Sequence, residues 1–244
     1  MLSGDFNQFP AIFDSWHGAA VHEEAFQRSS FFHYLAGGNR LTLTEGHRSD
    51  MELFNFYSSL IAGGERFLQP LAKVLEDARA LTGFEGPARH NLCISHRRRI
   101  LLNRQLNKAF LPDEAVPTFV RAKPKKGQMC AAQSMFLWVG IELLGCVQAT
   151  RKGIRNNVLY RVTALGEDST TVKPAEGEGD PIELTLSQVA EWLRLSFAQT
   201  YASCQGTEFS ATLRLHDTAN PHFTLRHLFV AMSRARECSK LSVS

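Results

Sequence analysis

The sequence has little that would staple or anchor a fold from outside. Its five cysteines (Cys93, Cys130, Cys146, Cys204, Cys238) are odd in number, scattered and never spaced C-x-x-C. That excludes a disulfide framework and a zinc ribbon and fits reduced thiols. Long hydrophobic runs are missing: the longest, Met135 to Val147, spans 13 residues and carries Glu142, too short and too polar for a membrane-spanning helix. Met1-Leu2-Ser3-Gly4-Asp5 has neither a basic start nor an apolar stretch. A signal peptide is therefore not expected, and an intracellular setting, cytoplasmic or nuclear, is. No G-x-x-x-x-G-K-[ST] segment occurs, so no loop here cradles nucleotide phosphates.

What is present suits a folded α/β chain. The 244 residues are 44% apolar and 21% charged, with a net charge of only +3, ordinary for one large or two small globular domains. The charge is unevenly placed. Between Arg89 and Lys126 stand ten Lys/Arg against two acids, Asp113 and Glu114. Such a block suggests a face that meets a polyanion, although charge alone is equally consistent with a solvated surface. An acidic, glycine-bearing stretch from Glu167 to Glu183 reads as an exposed loop.

Periodicity sketches the elements. Ser49-Asp50-Met51-Glu52 reads as a capping box opening an apolar helix that Gly63-Gly64 ends. Asn91–Ser95 is a short apolar strand, followed by a helix from about Arg97 to Phe110 whose first residues include Arg97, Arg98 and Arg99. Those cations sit at the positive end of the helix dipole, where an anionic partner or solvent would relieve them. After Pro117 the pattern shifts: Lys123–Gly127 reads as a linker, and strand signals follow at 136–139, 158–162 and 170–172. Asn156-Asn157 suits a tight turn. Leu193–Ala198 reads as one buried strand, Leu225–Arg234 as a helix and Leu241–Val243 as a final strand. Strands alternating with helices, interrupted by a β insertion, predict a parallel α/β sheet with a grafted small barrel.

Four segments carry a resemblance. Gly4-Asp5-Phe6-Asn7-Gln8-Phe9-Pro10 resembles motif III of superfamily one helicases, and His47-Arg48-Ser49 after Leu41-Thr42-Leu43 resembles motif IV. Thr200–Phe209 resembles motif V, and Leu228–Ala235 resembles motif VI. Lys152–Val162 is similar to an insert found before motif V. Together, over nearly the whole chain, they resemble the RecD/Dda/Pif type of superfamily one DNA helicase.

The resemblance implies a RecA-like parallel sheet flanked by helices, of the P-loop NTPase second-domain type, with an inserted small β-barrel. It implies four parts: 1–24, a remnant of a first RecA-like domain with motif III; 25–118, the first part of the second RecA-like domain; 119–182, the barrel; and 183–244, the remainder with motifs V and VI. It implies the C-terminal portion of an ATP-dependent, 5′-to-3′ DNA helicase. ATP with Mg2+ would bind only when the first RecA-like domain, on the same or a separate chain, is present, and this chain alone would be inactive. Among the residues, Arg48 and Arg234 match the arginine fingers and Gln8 the γ-phosphate sensor. Gly206 and Glu208 match the nucleotide-facing part of motif V. For single-stranded DNA it implies Thr200, then Ser95, His96, Arg97 and Asn103, and in the insert Lys152. Arg236 reads as a neighbouring solvated charge.

Three features depart from the pattern: no apolar strand ending in Asp-Glu precedes motif III, Ala202 stands where relatives usually carry histidine, and Asn157 replaces a common turn glycine. The alternative reading is a non-enzymatic single-stranded-DNA-binding or regulatory module derived from a helicase.

Overall fold

The computed structural model describes residues 7–9, 15–16, 19–20, 25, 29–39, 45–122, 133–149 and 152–244. The apolar stretch Leu41–Leu43, the expected linker at Lys123–Gly127, and Gly4–Phe6 and Pro10 of the first motif lie outside them. In chain order the elements are β1 (Ser15–Trp16), β2 (Ala19–Ala20), α1 (Ser30–Leu35), α2 (Met51–Ser58), α3 (Leu71–Leu81), β3 (His90–Cys93), α4 (His96–Ala109), β4 (Thr118–Val120) and β5 (Met135–Leu137). Then come β6 (Glu142–Gly145), β7 (Leu159–Leu165), β8 (Ser169–Pro174), β9 (Ile182–Thr185), α5 (Leu186–Trp192), β10 (Leu193–Leu195), β11 (Ala198–Thr200), β12 (Leu213–Leu215), α6 (Leu225–Met232) and β13 (Leu241–Val243). The chain forms two compact units, Met1–Pro87 with Tyr201–Ser244, and Ala88–Thr200.

In the first unit β12 and β13 pair in parallel, Leu213 opposite Leu241 and Leu215 opposite Val243, with α6 as the crossover between them. Helix α6 buries Leu228 to Met232 as a continuous run, and the Tyr57 and Phe229 rings meet edge-on at 5.9 Å, packing α2 on α6. Helix α3 buries Val74, Leu75 and Ala78, a stripe at the helical spacing that the sequence reading passed over.

The second unit joins two layers. Strands β3 and β11 pair in parallel, Asn91 opposite Ala198 and Cys93 opposite Thr200, and α4 packs on them. A five-stranded antiparallel sheet has the order β10-β6-β7-β8-β9, bent by a bulge between Val162 and Ala164. Its core includes Leu137, Leu143, Tyr160, Val172, Leu184 and Phe197.

Local chemistry explains several boundaries and corrects others. Asp50, not Ser49, caps α2: its carboxylate accepts from the Leu53 N–H at 2.8 Å, because the Ser49 hydroxyl is committed to the Ala235 carbonyl. The helix ends at Ser58, before the two glycines. Ser95 caps α4, accepting from Arg98 N–H. The run expected as one strand at Leu193–Ala198 is two: β10 joins the antiparallel sheet beside β6, and β11 joins β3. Between them Ser196 donates its hydroxyl to the Glu142 carbonyl at 2.7 Å. Asn157 adopts the left-handed conformation at φ 63°, the freedom asparagine was expected to supply.

Helix α4 is buried on a polar face. Arg99, Leu102, Asn103 and Asn107 lie inward, while Leu101 is exposed. Asn103 donates to the Ala198 carbonyl at 3.0 Å and accepts its N–H at 2.9 Å. Asn107 does the same to Phe136, at 2.9 and 2.8 Å. Each amide thus imitates a neighbouring strand's peptide and satisfies buried backbone groups.

Candidate functional site

The first unit gathers three of the resembling segments at the end of α6. That helix opens at Thr224, whose hydroxyl lies 2.8 Å from His227 Nδ1, and it closes at Ser233. Arg234 follows directly, with its N–H on the Ala231 carbonyl, so its cation stands at the negative end of the helix dipole. Arg234 is buried. It neighbours Cys204, whose thiol burial pushes up to about 12 against the opposing Arg234 charge; that sulfur is protonated and unreactive.

Beyond Arg234 the chain runs beside the His47–Asp50 loop. The Arg48 guanidinium donates to the Ser233 carbonyl at 3.2 Å, Ser49 to Ala235 at 2.8 Å, and the Asp50 N–H to Arg236 at 2.8 Å. Asp50 in turn accepts from the Cys238 N–H at 2.7 Å. Four consecutive contacts zip the two segments together across some 185 residues of sequence. The third segment joins from the other side: Phe209 N–H donates to the Arg234 carbonyl at 2.8 Å, and Phe209 and Ala235 form a parallel bridge.

Glu208 is thereby set between two guanidinium groups, 3.6 Å from Arg48 Nε and 2.6 Å from Arg236 Nε. All three side chains are part-exposed, so the pairing orients the groups more than it stabilises the fold. Gly206, two residues earlier, has φ 85°, and a Cβ there would meet nothing within 4 Å; its backbone faces open space. Gln8 is half-buried, and its neighbour Phe9 is held by Gln205, which donates to the Phe9 carbonyl at 3.3 Å, and by an edge-on contact with His227 at 4.7 Å.

Arg48, Glu208 and Arg234 are thus brought together, with Gln8 tied in through Phe9 and Gln205. Arg236, expected as a solvated charge, is instead paired with Glu208; no local signal in the sequence points to that pairing. The cluster sets one carboxylate, Glu208, between the Arg48 and Arg236 guanidinium groups, and guanidinium groups are suited to a phosphate-bearing anion.

The residues expected to face DNA stand in the second unit. Ser95, His96 and Arg97 are exposed at the start of α4. His96 is held below its ordinary value by burial and by the Arg99 and Arg194 charges. Thr200 ends β11 opposite Cys93, buried at the C-terminal edge of the parallel pair. Lys152 is exposed in the turn before Ile154. Asn103 departs from expectation: it is fully buried with both amide atoms spent on Ala198, so it holds the fold and presents nothing to a DNA strand. Trp138 is buried in the core of the second unit. Among the described residues no cluster of His, Cys, Asp and Glu could hold a metal ion, and no helix is long and apolar enough to cross a membrane.

No protein-family model and no curated protein sequence matches the chain. Solved structures do. The fold is similar to that of Pif1 helicase from Candida albicans, at TM-score 0.61 and 17% identity, over 98% of this chain and 63% of that one. It is similar to Pif1 helicase from Bacteroides in complex with ADP-AlF3 and single-stranded DNA, at TM-score 0.59 and 20% identity, over 84% and 51%. A structure of two coordinating Pif1 helicases unwinding forked duplex DNA matches at TM-score 0.57 and 21% identity, over 82% and 48%. The fold is therefore the mixed α/β, RecA-like arrangement of the Pif1-type helicases, and the chain spans about half to two thirds of the length of those structures.

Proposed function

We propose that this chain is the C-terminal portion of an ATP-dependent DNA helicase, with a second RecA-like domain around an inserted β module that, by the sheet order, runs past 182 to include β9 and β10. The reading is carried by the convergence of Arg48, Glu208 and Arg234 from three distant segments into one cluster. In it Arg234 and Arg48 act as arginine fingers, stabilising charge on the γ-phosphoryl group as its bond breaks. Arg234 is buried and Arg48 is held by the Ser233 carbonyl, which favours guanidinium groups positioned before nucleotide arrives. Gln8 senses the γ-phosphate. Gly206 leaves room for close approach, and Glu208 exchanges its arginine partners for the nucleotide ribose.

These groups fit a triphosphate from one side only. No loop of this sequence cradles the phosphates and none of the described residues is grouped to hold magnesium, so ATP with Mg2+ binds when a P-loop-bearing first domain supplies the other side. Single-stranded DNA is the polymer partner, contacted by Ser95, His96, Arg97, Thr200 and Lys152. The Bacteroides protein was crystallised with both a nucleotide analogue and single-stranded DNA, which supports the pairing of ligands.

The test is DNA-stimulated phosphate release. The purified chain alone is expected to show none. Joined in one polypeptide to a P-loop-bearing first domain it is expected to turn over, and Arg234→Ala should lower kcat about a thousandfold. Turnover by the chain alone, or an undiminished Arg234→Ala enzyme, would overturn the proposal.

A further inference from the structure

The basic block between Arg89 and Lys126 is only partly explained by the sites above, and the structure sorts its charges. Arg89 is spent on Glu142 at 3.1 Å and lies over the Phe197 ring. Arg99 is buried. Arg97, Arg98, Arg104, Lys108 and Arg121 stand at the surface, and of these Arg104 and Lys108 share one row of α4 by their four-residue spacing.

Beside α4 lies the ribbon of β4 and β5. Its inner face, Val120, Met135 and Leu137, is buried. Its outer face carries Phe119, 54% exposed, opposite half-buried Phe136. Both backbone groups of Phe136 are turned to Asn107, which makes Phe119–Phe136 a non-hydrogen-bonded pair, the closer of the two cross-strand spacings. The rings meet at 5.1 Å, tilted by 51°. Arg121 follows two residues after Phe119, on the same outer face. The helix flanks the ribbon along its length, since Gln133 donates to the Ile100 carbonyl and Asn107 holds Phe136. The nearest acids in sequence, Asp113 and Glu114, precede the ribbon, and none occurs from Ala115 to Gly140.

An exposed ring packed on a half-buried one, in a ribbon whose own sequence carries Arg121 and no acid, suits neither a packed core nor an ordinary protein interface, whose centre is depleted of charge. It suits unstacked bases joined by phosphates: rings take the base faces, and guanidinium groups take the backbone. We infer that the outer face of the β4–β5 ribbon is a base-stacking platform for single-stranded nucleic acid, with Phe119 and Phe136 as the platform and Arg121 and Arg104 on the phosphates. This rests on the reading of the chain as a DNA-track protein and adds a contact that none of the resembling motifs supplies.

The experiment is anisotropy of a labelled oligothymidine, together with a fluorescent adenine analogue whose emission falls on stacking, added to the chain at several salt concentrations. The wild-type chain is expected to bind and to quench the analogue. Phe119→Ala, an exposed substitution, should weaken single-strand binding about tenfold and abolish the quenching with the salt slope unchanged. Phe119→Trp should restore both. Arg121→Gln should instead lower the salt slope by about 0.7. If the wild-type chain binds and Phe119→Ala binds and quenches equally well, the platform is wrong and the helicase reading stands. If the wild-type chain fails to bind even at low salt, the platform and the DNA-binding part of that reading fall together.

Discussion

Asn103 separates two accounts of the same helix, and replacing it tests them. It lies fully buried, and its amide completes both the carbonyl and the N–H of Ala198, itself buried. In Asn103→Ala those two peptide groups lose their partners out of reach of water, each at a cost of about 1–3 kcal/mol. Closing the small void adds little, so the sum is about 3–4 kcal/mol. For a unit of this size a urea dependence of about 2 kcal/mol per molar converts that loss to a fall of about 1.5–2 M in the unfolding midpoint. Tryptophan fluorescence reports it directly, because Trp138 and Trp192 both pack in the second unit. Asn103→Leu, which keeps the volume but not the hydrogen bonds, should recover little. Single-strand affinity of the folded variant should be unchanged. A midpoint shift under about 0.3 M with lost DNA binding would refute the buried clamp and restore Asn103 as a DNA contact.

Two further outcomes follow from the structure. His90 titrates at about 4 instead of 6.5, chiefly through burial and secondarily through the Arg89 charge. The unfolded chain therefore binds the proton more readily between those values, and stability falls as pH drops from about 6.5 to about 4, by up to about 3 kcal/mol; His90→Gln should flatten that part of the urea-midpoint profile relative to wild type. Asp50→Ala removes the cap of α2 and the acceptor of the Cys238 N–H, and should cost about 1–2 kcal/mol. Ser49→Ala loses only one part-buried bond to Ala235 and should cost about half of that; the reverse order in thermal unfolding would put the cap back on Ser49.

Elements whose signal is local were legible in the sequence. Helix α6 and strand β13 are apolar runs, buried whatever their neighbours, and their bounds emerged within a residue or two. The turn at Asn157 was legible because positive φ is a property of one residue. The cap of α2 was misplaced by one position because Ser49 and Asp50 are equally good caps, and a partner 186 residues away claims the serine. Helix α3 went unread: its stripe of Val74, Leu75 and Ala78 is short, and its N-cap Pro70 offers no side-chain signal.

Site residues divide the same way. Arg48, Glu208 and Arg234 were identified as residue types at resembling positions, since fixed cations and a carboxylate are what phosphate chemistry requires. Their meeting depended on a contact across 185 residues of sequence, and the enlistment of Arg236 on its pairing with Glu208, 28 residues away.

By itself, the sequence determined the chemistry that travels with a residue: charge, thiol count, turn tolerance, apolar runs and the absent phosphate loop. Only the tertiary structure decided which polar groups are buried, because burial depends on what packs against a helix from elsewhere in the chain. That is why Asn103 and Asn107, polar in any alignment-free reading, turned inward to complete strand backbones, why Arg99 of the basic block is buried, and why the run from Leu193 to Ala198 broke between two sheets.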